Sequence, residues 1–268
     1  MLKKIGLGFM FLLLALLLTV YLTGNEHMLR GLRSTYFIGK SKPDIDDMKW
    51  FDLSVMKHDS IDSSFPTAKA YGMLQLTPEE EAVHAQFEST AFLVFKRDTL
   101  IFEKYFGDGG VDVVSNSFSM AKSYTAILIG VAIDEGLIKS VDQPVSDFLP
   151  EFKEGENAKL TIKHLLQMAS GIPFGESYAS PFGYMAKAYF GKNLQEATAH
   201  FRVKTEPGTG WAYEGGNTVL LGEILMKATG KSVSQYFEEK IWSKIDTGHD
   251  AYWNLDRQGG MEKVFSGF

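Results

Sequence analysis

Residues 115–136 read SNSFSMAKSYTAILIGVAIDEG and place Ser119 and Lys122 three positions apart at the start of an apolar segment. Residues three apart on a helix share one face, so the amine can reach the hydroxyl. A serine hydroxyl is a weak nucleophile until a neighbouring base takes its proton. An apolar environment favours the neutral amine, and the positive end of a helix dipole favours a developing alkoxide. The segment therefore predicts a nucleophile and its base at a helix N-terminus.

The four-residue pattern Ser-x-x-Lys is a weak signal by itself, because a capping serine followed by a solvated lysine produces the same letters. The residues that follow add weight to it. From Ala126 to Ile133 the segment is apolar on every helical face, which is typical of a buried helix. We expect such a helix, ending near Gly136, a residue type suited to a helix C-terminus.

Three further segments carry a family resemblance. They are TIKHLLQMASGI (161–172), WAYEGGNTVLLG (211–222) and KATGKSVSQYFEEKIW (227–242). In their order and spacing, over residues 90–260, they resemble the serine β-lactamase-related proteins. That group contains class C β-lactamases, D,D-peptidases and esterases, and the branch most similar to this chain holds the aminohexanoate-oligomer (nylon-oligomer) hydrolases.

The resemblance implies an α+β fold of the β-lactamase/D,D-peptidase type. Such a fold has an antiparallel sheet built from strands at both chain ends, a helical domain between them, and the site at their junction. The residues agree with this class. Runs at 91–95 and 99–106 predict a hairpin, and helices are expected over Thr161–Ala169, Tyr184–Phe190, Gly216–Thr229 and Val233–Ile241.

The resemblance also assigns roles. It implies that Ser119 is the nucleophile, Lys122 the base and Tyr213 a proton relay, in a serine hydrolase that forms an acyl-enzyme with a small amide or ester. Tyr213 could otherwise be a core aromatic. Gly215 stands where the family usually has an asparagine, and Asn217 could partly replace that residue. Because of this change, ester hydrolysis is expected to exceed β-lactam hydrolysis.

Two polar residues near these motifs are interpreted as structural. His164 lies within the segment expected to form a helix, and Glu214 is interpreted as a loop carboxylate beside Tyr213. The alternative functions are a non-catalytic penicillin-binding-like sensor or binding protein, which keeps the acylation residues without turnover, and an inactive fragment.

In the family, a later strand carries a Lys-Thr-Gly or His-x-Gly motif and donates one N–H of the oxyanion hole. No such motif is found between Tyr213 and Phe268. We therefore expect a C-terminally incomplete member of the family, with an incomplete sheet. An isolated two-stranded hairpin is marginal in water, so the hairpin would need partners.

Composition excludes several classes of function. The chain has 268 residues, no cysteine and a formal net charge of −6. Without cysteine there are no disulfides or thiolate metal sites, and the six histidines are scattered without metal-ligand spacing. No basic stretch is dense enough to indicate a nucleic-acid partner. We expect no metal or other cofactor; the expected partners are a small-molecule substrate and a membrane.

The N-terminus predicts the membrane segment. Lys3 and Lys4 precede an uncharged apolar run from Ile5 to Thr23, close to the ~20 residues that cross a bilayer. The run ends in YLTGNE, a poor cleavage site, so a signal anchor is favoured over a cleaved signal peptide. The predicted divisions are this segment (1–23), a juxtamembrane arm and lead-in (24–85), and the hydrolase domain (86–268). The expected location is a bacterial cell envelope, with the catalytic domain outside the cytoplasm, or exported if the leader is cleaved.

Overall fold

The computed structural model describes residues 2–58 and 65–268, in two compact units. The first unit consists of three segments, which are the residues up to Lys57, Asn116–Ile245 and Asp250–Phe268. The second unit joins His58–Ser115 to Asp246–His249. Part of the predicted lead-in, residues 59–64, lies outside the described residues. The domain boundaries at 23 and 85 stay a prediction.

Helices are the most numerous elements of the first unit. In chain order they are α1 (Leu2–Leu22), α2 (His27–Ser34), α4 (Ala121–Asp134), α5 (Ile162–Leu166), α6 (Tyr184–Phe190), α7 (Leu194–Thr198), α8 (Gly215–Thr229) and α9 (Val233–Lys240), α3 belonging to the second unit. The helices predicted at 161–169, 184–190, 216–229 and 233–241 are therefore all present, with ends shifted by a few residues at most.

The centre of this unit is α8, in which every residue from Gly215 to Leu225 is buried. Gly216 lets a loop approach closely, because a Cβ there would lie 2.3 Å from the Phe174 ring. Gly222 does the same for the C-terminal residues, since a Cβ there would lie 3.0 Å from Val264. These contacts bring the 173–178 loop and the chain's last residues against one helix.

Helix α4 is buried on one side only, so the expectation of a helix buried on every face is wrong. Its buried residues are Ala121, Thr125, Leu128, Ile129 and Ala132, which recur at helical spacing. Ile127 is 48% exposed, and Gly130 is also exposed. Apolar composition around a helix gives the potential for burial, but burial also requires neighbours on every side.

The resemblance implied an antiparallel sheet built from strands at both chain ends, and the first unit contains a small one whose strands were not located from the sequence. Strand β1 (Asp52–Met56) pairs with β4 (Ala251–Leu255), so that Ser54 lies opposite Trp253. Both strands are short, and most of the chain lies between them in sequence. Local periodicity cannot show such a pairing, because neither segment has a neighbouring strand in sequence.

The second unit contains the predicted hairpin. Strands β2 (Ala91–Lys96) and β3 (Thr99–Tyr105) pair antiparallel, with an irregularity at Val94/Phe95. The two turn residues, Arg97 and Asp98, both have positive φ, as a tight hairpin turn requires. Helix α3 (Pro78–Gln86) precedes them and begins with a capping box between Thr77 and Glu80. Helices with antiparallel strands confirm the α+β class.

Candidate active site

Ser119 lies in a 3-10 turn, Phe118–Met120, that leads directly into α4. Phe118 has φ +48, a left-handed conformation that costs a non-glycine residue energy and is often found at functional sites. The buried Asn116 side chain stabilises this turn, because its Oδ1 accepts the Phe118 N–H at 2.8 Å. The turn leaves the Ser119 side chain exposed at the start of the helix.

Lys122 is half-buried and lies one turn further along, with its Nζ 3.1 Å from the Ser119 Oγ. The same Nζ donates to the main-chain carbonyl of Phe265 at 2.8 Å. A carbonyl can only accept, so it fixes one N–H of the amine and leaves the side towards Ser119 available. In the ammonium form Nζ donates to Oγ; a neutral amine at this distance can accept the hydroxyl proton.

Tyr213 lies beside Lys122. The Lys122 Nζ is 4.8 Å from the centroid of the Tyr213 ring, within the range of a cation–π contact. The phenol ring is 40% exposed, so Tyr213 is not the core aromatic that the sequence left open. The structure brings Ser119, Lys122 and Tyr213 together, and their catalytic roles stay a prediction.

A pair of glutamates holds the segment that carries Tyr213. The Glu214 carboxylate accepts the main-chain N–H groups of Phe174 at 3.2 Å and Gly175 at 3.0 Å. In return, the Glu176 carboxylate accepts the Gly215 N–H at 2.7 Å, at the N-terminus of α8. We call this reciprocal arrangement the glutamate clasp. A carboxylate at a helix N-terminus is favoured by the helix dipole.

Glu176 is the site residue that sequence reasoning missed. It also accepts the Tyr178 hydroxyl at 2.6 Å. Burial of the phenol and this carboxylate together raise the pKa of Tyr178 well above its usual range. One signal for Glu176 was available in the sequence, because this carboxylate comes shortly after the family-like segment 161–172. No local pattern predicts its contact with the Gly215 N–H.

Asn217 is buried in the first turn of α8. Its side chain is 1% exposed, and its Nδ2 contacts the Met168 sulfur at 3.5 Å. The Oδ1 atom is buried without a hydrogen-bond partner among the described residues. The idea that Asn217 could partly replace the asparagine missing at Gly215 stays a prediction.

His164 has a structural place, as predicted. Its Nδ1 accepts the Thr161 N–H at 3.2 Å and lies 3.1 Å from the Thr161 hydroxyl, which together close a capping box at the start of α5. Burial lowers the pKa of His164, which keeps the ring neutral. Across the described ranges, no group of three His, Cys, Asp or Glu residues could hold a metal ion.

A cavity of about 250 Å³ lies beside the clasp. Its walls include Ile172, Pro173, Trp211, Ala212 and Glu214, so it is mostly apolar and directly adjoins the Tyr213 segment. Trp211 is 71% exposed and gives the rim a large aromatic surface. The cavity can therefore receive an apolar group beside the segment that carries Tyr213.

Comparison with known proteins places these residues in a family. Residues 77–262 match the family model described as Beta-lactamase. The 6-aminohexanoate-dimer hydrolase of Paenarthrobacter ureafaciens is 23% identical over 223 residues, covering 77% of this chain and 55% of the relative. Protein flp of Staphylococcus aureus is 24% identical over 189 residues, covering 65% of this chain and 36% of the relative.

Solved structures show the same fold. A proposed 6-aminohexanoate-dimer hydrolase from Bacillus anthracis superimposes with a TM-score of 0.70 at 21% identity, covering 82% of this chain and 63% of that one. Staphylococcus aureus FmtA gives a TM-score of 0.50 at 16% identity, covering 71% and 61%. The chain spans about half the length, or less, of these curated relatives.

Proposed function

The chain belongs to the beta-lactamase family, a family of serine hydrolases, and from this premise we propose that it hydrolyses a small amide or ester through an acyl-enzyme on Ser119. The observation that carries the proposal is the 3.1 Å contact between the Lys122 Nζ and the Ser119 Oγ. A nucleophile within hydrogen-bond reach of a base, with that base oriented by a third group, is the arrangement that covalent catalysis requires. Here the third group is the Phe265 carbonyl.

The proposed reaction runs in two halves. Lys122 takes the Ser119 proton as Oγ attacks the substrate carbonyl, and a tetrahedral intermediate forms. Tyr213, beside the amine, relays this proton to the leaving amine or alcohol, and the bond to the leaving group breaks. Water then attacks the Ser119 ester and gives up a proton to the same base. The bond between the acyl carbon and Oγ breaks, the acid leaves, and the base returns the proton to Oγ, which restores the serine hydroxyl.

A flexible, aliphatic acyl group is the proposed substrate feature, in preference to a β-lactam. Gly215 offers no side-chain amide, and the Asn217 side chain is buried against Met168. The cavity of about 250 Å³ beside Trp211 is mostly apolar, which suits an aliphatic acyl chain. The name of the Paenarthrobacter relative, 6-aminohexanoate-dimer hydrolase, agrees with an acyl group that has an aliphatic chain.

The test is covalent labelling of the full chain in mild detergent with a fluorophosphonate probe. We expect peptide mapping to find the adduct on Ser119, with labelling abolished in Ser119→Ala and reduced by about 10²-fold or more in Lys122→Ala. Ser123→Ala is the matched control, because Ser123 is exposed on the same helix, and it should label normally. An adduct on Ser117, Ser123 or Ser170 would contradict the assignment.

Turnover of a nitrophenyl ester separates the proposed hydrolase from its rival. Labelling of Ser119 together with repeated turnover supports the hydrolase. Labelling that stops after one acyl group per chain would instead support the penicillin-binding-like sensor that keeps only the acylation half of the reaction.

We further propose that α1 anchors the protein in the membrane of a bacterial cell envelope, with the hydrolase unit outside the cytoplasm. The uncharged segment Ile5–Leu22 is a single helix, long and apolar enough to cross a membrane. An apolar helix near an N-terminus is also what an exported protein's leader forms, so cleavage is the competing outcome.

A further inference from the structure

A group of apolar side chains is exposed shortly after α1. Tyr36 is 65% exposed and Phe37 78% exposed, and Leu32 and Ile38 are partly exposed beside them. We call these four residues the juxtamembrane patch. Tyr36 to Ile38 form a 3-10 turn that directly follows α2. An aromatic cluster of this kind in water costs solvation energy, so its position in the chain matters.

The patch is close to the end of α1 along the chain. Only residues 23–26 separate α1 from α2, and four residues span at most about 14 Å when fully extended. These residues are turned back instead, because the Asn25 N–H bonds to the Val20 carbonyl and Met28 to Asn25. If α1 spans a bilayer, the start of α2 therefore lies at the membrane surface.

Polar contacts hold α2 firmly to α6, so the patch is part of the catalytic unit and not a loose tether. The His27 Nε2 lies 2.8 Å from the Pro181 carbonyl, and the Arg30 guanidinium donates to the Phe190 carbonyl at 2.9 Å. A Cβ at Gly31 would lie 3.3 Å from the Phe190 ring, which shows how closely the helices approach. These polar residues face α6 and leave Leu32 outward.

Charge does not explain the exposed surface. Residues 26–47 hold four residues of Lys or Arg and four of Asp or Glu, so this segment has no formal net charge. Lys40 pairs with Asp44 at 2.6 Å and with Asp46 at 2.8 Å. Attraction to anionic lipid through a basic cluster is therefore weak compared with the apolar contribution.

We propose that the juxtamembrane patch inserts into the interfacial layer of the same bilayer that α1 spans, so that the unit carrying Ser119 is held to the membrane at two points. Aromatic side chains favour the membrane–water interface, and apolar faces of surface segments lie roughly 5–10 Å into it. The inference rests on the proposed anchor and is independent of the hydrolase activity.

The absence of cysteine from the chain makes a clean test possible. Three single-cysteine variants of the full chain are made, Phe37→Cys, Leu16→Cys and Ser140→Cys, and each is labelled with an environment-sensitive fluorophore. Each labelled protein is reconstituted in phosphatidylcholine vesicles that contain lipids spin-labelled either near the headgroup or deep in the acyl chain. Phe37 and Ser140 are both exposed, so neither change disturbs a core.

We expect the probe at position 37 to be quenched about twofold or more by shallow spin labels, equally with and without phosphatidylglycerol. The probe at Leu16, on α1, should respond to deep labels, and the probe at Ser140 to neither. Three outcomes overturn the proposal: no quenching at position 37, no deep quenching at Leu16, or cross-linking of position 37 between two copies in place of lipid quenching.

Discussion

Two buried ionisable residues predict that the stability of this protein has a minimum near neutral pH. Lys263 is 0% exposed, and burial lowers its pKa to about 7 from 10.5. Glu223 is 7% exposed, and burial raises its pKa to about 7 from 4.5. Burial therefore favours the neutral form of both side chains in the folded state.

The sign of each effect follows from proton binding. For Lys263 the unfolded chain binds more protons between pH 7 and 10.5, so stability rises with pH across that window. For Glu223 the folded chain binds more protons between pH 4.5 and 7, so stability falls as pH rises there. At about 1.36 kcal/mol per pH unit, the two windows correspond to on the order of 5 and 3 kcal/mol.

The assay is urea unfolding of the full chain in mild detergent, followed by tryptophan fluorescence from pH 5 to about 10. We expect Lys263→Met to remove the rise above pH 7 and Glu223→Gln to remove the fall below it. Lys139→Met, at an exposed lysine, is the matched control and should keep both slopes. A wild-type free energy of unfolding that is flat from pH 7 to 10 would refute the reasoning.

Three further predictions follow from the site and the N-terminus. Glu176→Ala should slow fluorophosphonate labelling about tenfold, because a hydrogen bond to a charged group is worth roughly 1.5–3 kcal/mol. Glu196→Ala, at a surface carboxylate, should leave the labelling rate unchanged. Equal rates in the two variants would contradict a role of the glutamate clasp in positioning Tyr213. Purified protein should turn over a nitrophenyl ester faster than nitrocefin, and the reverse order would show that Gly215 does not disfavour β-lactams. Protein expressed in a bacterium should fractionate with membranes and begin at its original N-terminus on Edman sequencing; a start near Asn25 would show a cleaved leader.

Features fixed by neighbouring residues could be predicted from the sequence. The start of α4, the β2–β3 hairpin and the helices α5, α6, α8 and α9 all depend on periodicity and turns within a few residues, whereas the short helix α7 was not predicted. The contact between Ser119 and Lys122 belongs to the same class, since a spacing of three on a helix sets it.

Features that depend on distant partners were missed or misplaced. The β1–β4 pairing and the Glu176 contact with Gly215 join segments that local patterns cannot relate. The face of α4 that carries Ile127 is exposed because composition does not supply neighbours. The place of the Asn217 side chain could not be predicted for a related reason, because its contact is with Met168, 49 residues earlier in the chain.

The orientation of the proposed base depends on these distant contacts more than on its own helix. The Phe265 carbonyl accepts one N–H of Lys122 at 2.8 Å, and this carbonyl lies only two residues after Lys263. The Lys263 Nζ in turn donates to the Ala188 carbonyl at 2.8 Å, near the end of α6.

An amine with one N–H held by a carbonyl has its remaining positions directed elsewhere, here towards the Ser119 Oγ 3.1 Å away. Main-chain bonds between Asn254 and both Lys263 and Gly267 would still hold this segment, but loss of the Lys263 side-chain contact would loosen the position of the Phe265 carbonyl and with it the orientation of Lys122. Lys263→Met should then slow labelling of Ser119 even at a pH where it raises stability, whereas Lys139→Met should change neither. Unchanged labelling in a more stable Lys263→Met protein would show that α4 alone orients the base.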